Sequence, residues 1–181
     1  LDAKGAVWGS KMGWERPNVF APKGEARELR YSWERQNWFP WWAAEHRAAR
    51  EAVVIMDMSF MSKFWVAGRD AGRVLNHISA NDVDGEAGRI TYTQWLNDKG
   101  TLEADLTVTR LAPDDFLVVA SDTAHGSALA RLRRAVGDAA ASVDDVTTDL
   151  GLLTVQGPAS RDTLAAAAPE VVAQHYAEGG I

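Results

Sequence analysis

The alternation of apolar and polar residues predicts most of the secondary structure from residue 41 onward. Two-residue alternation places side chains on opposite faces of a strand, whereas apolar residues three and four positions apart share one face of a helix. Strands are predicted on this basis at residues 63–68, 88–97, 104–111, 114–121 and 150–156. Helices are predicted at residues 41–54, 69–79, 124–136 and 160–168, the last with Ser160 as its N-cap.

The order of these elements predicts an α+β fold, because helices alternate irregularly with strands that short turns join as antiparallel neighbours. Residues 97–100 (Asn-Asp-Lys-Gly) form a polar hinge between two of the strands. Residues 1–42 are interrupted by glycine and proline and contain six of the eight tryptophans. We therefore predict an extended Trp-rich arm at 1–42, packed on its own domain or on another domain of a longer chain. We predict one domain at 43–181, truncated at its C-terminus.

The composition of the chain argues against several classes of binding partner. Hydrophobic residues make up 46% and charged residues 24% of the 181 positions, which is typical of a protein with a packed core. The net charge of −6 argues against sequence-independent binding to nucleic acid. The sequence has no apolar run near the roughly 20 residues that span a bilayer and no signal-peptide pattern. We predict no nucleic-acid or membrane partner and a cytoplasmic location. The lack of cysteine excludes disulfides and thiolate metal sites.

Several common catalytic motifs are missing from the sequence. It contains no GxGxxG, P-loop, HExxH or G-x-S-x-G pattern. Its four histidines are dispersed, so no paired spacing indicates a metal site. We interpret Arg131, Arg133 and Arg134 as a solvated face of the third helix.

Asp105 is the one residue that departs from its surroundings in a chemically suggestive way. Aspartate is depleted in strands because its side chain competes for backbone hydrogen bonds. Leu106, Val108 and Leu111 are the apolar members of its strand, and alternation places Asp105 on the other face with Thr107. That face is either exposed to solvent or lines a polar cavity in which a rigid carboxylate meets a cationic substrate, and spacing does not decide between them.

Four stretches of the sequence resemble a known family. Together they cover the chain from about Trp8 to Ala167, in the order that the family has them. They resemble the folate-binding region of sarcosine and dimethylglycine dehydrogenases, which is similar to the glycine-cleavage T-protein, an aminomethyltransferase. The stretches are KMGWERPNVFAP, EHRAAREAVVIMDMSFMSKFWVAGRDA, GRITYTQWLNDKGTLEADLTVTRL and VQGPASRDTL.

The resemblance implies a partial folate-binding aminomethyltransferase-like fold. The family has three subdomains around a folate cavity, and this chain would supply the first and part of the second. The implied chemistry is the transfer of a methylene group from nitrogen to tetrahydrofolate, with a methylated amine as the donor. FAD is implied only if the full protein has an N-terminal oxidoreductase domain, which would then contact this one.

The resemblance also assigns a catalytic residue. An acidic residue in the strand after the Asn-x-x-Gly hinge is the family's catalytic carboxylate, and Asp105 matches it. T-proteins often carry a second acid at the position of Ala104 and an asparagine at that of Ala120, so this chain departs from the pattern twice. Tyr92, Asn97 and Thr107 are our candidates for folate binding.

Two other functions stay open at this point. The chain is alternatively a non-catalytic folate-binding or scaffolding module. A third reading keeps the fold and replaces the amine with an oxygen or sulfur methyl donor, although the KMGWERP stretch favours the amine branch.

Overall fold

The computed structural model describes residues 1–170. Two compact units are distinguished: the hairpin unit, which combines Leu1–Asp57 with the residues from Leu153 onward, and the sheet unit, Met58–Leu152. The strands are β1 (Ala6–Lys11), β2 (Trp14–Phe20), β3 (Val54–Asp57), β4 (Ser62–Ala67), β5 (Ile90–Leu96), β6 (Leu102–Ala112), β7 (Asp115–Ala120), β8 (Ser142–Asp145) and β9 (Leu153–Gln156). The helices are α1 (Phe39–Glu51), α2 (Ala71–Ile78), α3 (His125–Val136) and α4 (Ser160–Ala167).

The hairpin unit begins with two strands that the sequence did not reveal. β1 pairs antiparallel with β2, so the irregular structure expected throughout residues 1–42 is wrong for 6–20. Val7 and Val19 are buried in this hairpin, and Trp38 and Trp41 pack against their cluster. Glycine and proline hid the alternation, because Pro17 lies within β2 next to a register shift. Trp33, by contrast, is fully exposed, at 107% of its reference area.

Two predicted element ends are wrong. The first helix ends at Glu51 rather than residue 54, because the β-branched run that begins at Val53 favours a strand, and β3 pairs with β9 there. Ser160 is the first residue of α4 and not its N-cap, a position held by Ala159. The backbone carbonyl of Ala159 accepts the N–H of Thr163, which opens the helix one residue earlier than predicted.

The sheet unit is a five-stranded antiparallel sheet with two helices on one face. Its strand order is β5-β6-β7-β4-β8. The inward residues of the sheet form one buried cluster with Leu75 of α2 and Leu132 of α3. Phe64, Trp95 and Phe116 are its largest members, each fully buried. This confirms the predicted mixture of helices and antiparallel strands, and it leaves the outward residues of the same strands on the opposite face.

A chain of three polar side chains joins the start of α3 to the sheet. The Nδ1 atom of His125 lies 3.0 Å from Ser62 Oγ, and its Nε2 atom lies 3.1 Å from Asp145 Oδ2. A serine, a histidine and an aspartate that contact one another in this order resemble a catalytic triad, in which the serine is the nucleophile. However, Ser62 is only 1% exposed, so a substrate does not reach it. The arrangement is structural and holds α3 to the strands β4 and β8.

We expect Asp145→Asn to destabilise the sheet unit at pH 7 and to have a smaller effect near pH 2. Burial acts to raise the pKa of Asp145, but hydrogen bonds from Thr147 and the charge of His125 outweigh it and hold the pKa below its ordinary value. A carboxyl with a depressed folded-state pKa stabilises the fold above its unfolded pKa of about 3.9. That contribution is lost as the pH falls through the folded value.

Urea denaturation at pH 7 and at several values between pH 2 and 4 measures this difference. Asp144→Asn is the matched control, since Asp144 is the exposed neighbour on the same strand. A stability difference between Asp145→Asn and the unchanged chain that is equal at pH 2 and pH 7 would contradict a stabilising role for the ionised Asp145 carboxylate.

Candidate functional site

The face of the five-stranded sheet away from α2 and α3 carries most of the predicted site residues. We call it the open face and define it by Tyr92, Asp105, Thr107, Val119 and Trp65. The strand register places Tyr92 opposite Thr107, and Thr107 opposite Val119 on the next strand. Asp105 lies one step along β6, diagonal to Tyr92. Strand periodicity and register therefore bring three of the four candidates together, of which alternation had predicted the shared face of Asp105 and Thr107.

Asp105 and Tyr92 form a direct contact on this face. The phenol Oη of Tyr92 donates a hydrogen bond to Asp105 Oδ2 at 2.9 Å. Asp105 is exposed, Tyr92 is 60% exposed, and Thr107 is half-buried. A hydrogen bond between side chains on adjacent strands restrains both, so the carboxylate is held by a rigid sheet in an accessible position.

Apolar side chains lie beside this carboxylate. Leu117, Val119 and Trp65 occupy the same face and are half-buried. The sheet unit by itself therefore presents an accessible carboxylate next to a flat apolar surface. Of the two alternatives for this face, the sheet unit matches the one in which the face is exposed to solvent. That the face lines a polar cavity in the intact protein stays a prediction.

Asn97 is the candidate that the fold sets apart from the others. It begins the turn between β5 and β6, where its Oδ1 accepts the backbone N–H groups of Lys99 and Thr101 at 3.0 and 3.1 Å. Its Nδ2 donates to Glu103 Oε1 at 3.1 Å. Gly100 completes the turn with a φ of 75°, a conformation that glycine adopts without strain. The structure gives Asn97 a turn-forming role.

Lys63 is a residue that the sequence reasoning missed. It lies opposite Val119 in the register, only 1% exposed, and its Nζ donates to the carbonyl oxygens of Ser59 and Met61 at 2.8 Å each. Buried lysines are uncommon, and a lysine that opens an otherwise apolar strand was the available signal. Its buried ammonium group belongs to a residue in register with Val119, which is in turn in register with Thr107.

The two departures from the family pattern face the core. Ala104 pairs with Trp95 and is 8% exposed, and Ala120 pairs with Leu106 and is fully buried. Side chains at these positions point away from Asp105. Here Ala104 and Ala120 serve packing, and Asp105 is an exposed acid on the side of β6 away from the core.

Neither a cluster of metal ligands nor a membrane-spanning helix is found among residues 1–170. Within residues 1–170, histidine, aspartate and glutamate side chains form no group of three or more suited to a metal ion. In the same range, each helix is too short or too polar to cross a bilayer.

The arginines of α3 do not form the uniform solvated face that their sequence suggests. Arg133 and Arg134 are exposed, but Arg131 is half-buried. Its Nη2 donates to the carbonyl of Leu96 at 2.7 Å, and its guanidinium lies 5.8 Å from the centre of the Trp95 ring. The prediction is therefore wrong for Arg131, whose long side chain covers the edge of the core.

Comparison with known proteins identifies relatives over nearly the whole chain. It is 41% identical over 178 residues to 4-methylaminobutanoate oxidase (formaldehyde-forming) of Paenarthrobacter nicotinovorans, which covers 97% of this chain and 22% of the relative. It is 33% identical over 161 residues to mitochondrial dimethylglycine dehydrogenase of Homo sapiens, covering 86% of this chain and 18% of the relative. The chain thus spans about a fifth of the length of these relatives.

A solved structure supports the fold. The glycine cleavage system aminomethyltransferase T from Bartonella henselae superposes with a TM-score of 0.72 at 25% identity, covering 92% of this chain and 41% of that one. The predicted partial aminomethyltransferase-like fold is confirmed. The family model of the GCVT N-terminal domain matches residues 1–177. The chain therefore belongs to the GCVT N-terminal domain family.

Proposed function

We propose that this chain is the folate-binding part of an enzyme that transfers a one-carbon unit from the nitrogen of a methylated amine to tetrahydrofolate. The observation that supports this best is the Tyr92–Asp105 pair, at 2.9 Å, on an accessible face of a sheet whose fold is that of an aminomethyltransferase. The names of the two relatives above concern methylated amines, which favours an amine over an oxygen or sulfur methyl donor.

The chemistry of the open face suits tetrahydrofolate. A pterin is a flat heterocycle with N–H donors around its edge. Leu117 and Val119 offer an apolar surface to a ring, and the Asp105 carboxylate is an acceptor for N–H groups. The Thr107 hydroxyl adds a donor and acceptor on the same strand. When bound, tetrahydrofolate supplies a nucleophilic nitrogen that accepts the carbon.

Asp105 has two roles in the proposed transfer. The migrating carbon is an iminium-type cation, so a fixed carboxylate beside it stabilises the positive charge that the transition state carries. The same carboxylate accepts the proton that the attacking nitrogen loses when its bond to carbon forms, and that proton passes to the donor nitrogen, which leaves as the free amine when its own bond to the carbon breaks. Tyr92 occupies Oδ2, and within residues 1–170 Oδ1 has no hydrogen-bond partner and is available for these tasks.

Two further points of the proposal concern the intact protein, namely its use of FAD and its location in the cell. FAD belongs to it only if the intact protein carries an oxidoreductase domain that generates the iminium ion. A cytoplasmic location remains our prediction, and one of the relatives is named as mitochondrial.

We expect Tyr92→Phe to lower the transfer rate by about three- to tenfold, because a typical hydrogen bond contributes about 0.5–1.5 kcal/mol and this one is exposed to water. The phenyl ring keeps the shape of the site, so tetrahydrofolate binding should change little. Formation of 5,10-methylenetetrahydrofolate by the intact protein, with a methylated amine as donor, measures the rate. Isothermal titration with tetrahydrofolate measures binding.

The same assay decides among the open functions. Binding of tetrahydrofolate without any methylene transfer would replace the enzyme with a non-catalytic folate-binding module. Transfer from methyl ethers or thioethers but not from amines would retain the folate site and change the donor. No binding by the intact protein would remove folate from the account altogether.

A further inference from the structure

A groove of about 520 Å³ lies in the sheet unit, apart from the open face. It is bounded by the end of α2, the β5–β6 hairpin and the C-terminal half of α3. Its volume falls within the range typical of sites for small molecules. Its lining residues are His77, Ile78, Leu96, Asn97, Asp98, Glu103, Arg131, Arg134 and Ala135. Asp105, Tyr92 and Thr107 are not among them, and Asn97, the one folate candidate that is, forms the β5–β6 turn away from the open face, so the groove is distinct from the proposed folate site.

One wall of the groove is basic. Arg131 and Arg134 are three residues apart on α3 and therefore lie on one side of the helix. Arg131 is fixed by its hydrogen bond to the Leu96 carbonyl and by its position over Trp95. Arg134 is exposed and has no ion-pair partner among residues 1–170. Two guanidinium groups at this spacing suit a carboxylate, because each presents several N–H donors in one plane.

The opposite wall is acidic. Asp98 and Glu103 lie on the β5–β6 hairpin. Glu103 is oriented by the amide of Asn97, which donates to it at 3.1 Å. Asp98 is exposed and has no ion-pair partner in the part of the chain that the structure describes. The turn that carries both is held by the hydrogen bonds of Asn97 to Lys99 and Thr101.

These opposite charges line one groove without neutralising each other. Within residues 1–170, the salt bridges do not include a pair between Arg131 or Arg134 and Asp98 or Glu103. A purely anionic ligand would meet the carboxylates, and a purely cationic ligand would meet the guanidinium groups. A ligand with both charges at its two ends avoids both repulsions.

We propose that the groove binds a small zwitterion of the ω-amino-acid type. Its carboxylate would contact Arg131 and Arg134, its ammonium group would contact Asp98 and Glu103, and its methylene chain would lie on Ile78 and Leu96. His77, at the end of α2, lines the same groove. This inference is independent of the proposed folate chemistry, since it uses none of the open-face residues.

The test is a titration of the ¹⁵N-labelled 181-residue chain with 6-aminohexanoate, followed by amide chemical shifts. Hexanoate and hexylamine, which each keep one charge, are titrated in parallel. We expect saturable shifts at the groove residues and binding of the zwitterion that is about tenfold tighter than of either single-charge compound, as one added contact of about 1.4 kcal/mol gives.

Three single variants locate the site. Arg134→Gln and Asp98→Asn should each weaken binding of 6-aminohexanoate by about fivefold, the upper range for an exposed charge pair. Arg133→Gln is the matched control, because Arg133 is an exposed neighbour on the same helix that does not line the groove. All three side chains are on the surface, and far-UV circular dichroism confirms that each variant folds.

Three results would overturn the proposal. They are the absence of saturable shifts, equal binding of the zwitterion and the single-charge compounds, and a loss in Arg133→Gln as large as in Arg134→Gln.

Discussion

Asp105→Asn should lower the rate of methylene transfer to tetrahydrofolate by about 100- to 1,000-fold, the usual cost of removing one electrostatic group from a transition state. Asparagine keeps the size of the side chain and still accepts the hydrogen bond from Tyr92. It carries no negative charge and does not take up the proton that the attacking nitrogen releases. Binding of tetrahydrofolate should change far less than the rate, because the apolar part of the face is unaltered.

The matched control for this substitution is Asp144→Asn. Asp144 lies opposite Trp65 on the same side of the sheet and is exposed. The Asp144→Asn substitution removes the same charge and leaves Tyr92 and Asp105 unaltered, so the transfer rate should be that of the unchanged protein. Rates are measured on the intact protein by the formation of 5,10-methylenetetrahydrofolate. Equal losses in the two variants would mean that net charge, and not the position of Asp105, governs the reaction.

Trp95→Ala should cost about 3–5 kcal/mol of unfolding free energy, the range for removing a large aromatic side chain from a core. Trp95 is fully buried in the core cluster of the sheet unit. Its Nε1 donates to Ser79 Oγ at 3.1 Å, and Arg131 lies over its ring. The substitution therefore leaves a cavity, an unpaired hydroxyl and a guanidinium without its aromatic partner.

Trp33→Ala provides the control for residue type. Trp33 is fully exposed, so its removal should change stability by less than about 0.5 kcal/mol, as is usual for surface positions. Urea denaturation followed by far-UV circular dichroism avoids any dependence on tryptophan fluorescence. A loss for Trp33→Ala comparable to that for Trp95→Ala would show that Trp33 is buried against something in solution.

The sheet unit was largely predictable because its signals are local. Two-residue alternation in β5 and β6 gave the strands, the Asn97–Gly100 turn joined them, and periodicity located α2 and α3. Alternation also placed Asp105 and Thr107 on one face, since the side-chain period of a strand is two residues, whereas the pairing of β5 with β6 was needed to bring Tyr92 to the same face. The exceptions were β8, which the sequence pattern did not predict, and Leu111, an expected apolar member of β6 that is 43% exposed at an irregularity in the pairing with β7.

The remaining features depend on contacts between distant residues. β3 is only four residues long and its partner β9 lies about a hundred positions away, so β3 was not recognised, although the pattern at 150–156 did predict the strand that becomes β9. Similarly, Arg134 and Asp98 line one groove only because α3 folds back over the β5–β6 hairpin. The sequence interpretation grouped Arg131, Arg133 and Arg134 as one solvated helical face, and it did not reveal that Arg131 and Arg134 line a groove.

The most direct test of the folate account is a crystal structure of the intact protein with tetrahydrofolate bound. The account predicts a tetrahydrofolate nitrogen within hydrogen-bonding distance of the Asp105 carboxylate, about 2.7–3.2 Å, with the pterin lying near Tyr92 on the open face. A ligand bound elsewhere, with Asp105 surrounded by water, would contradict it.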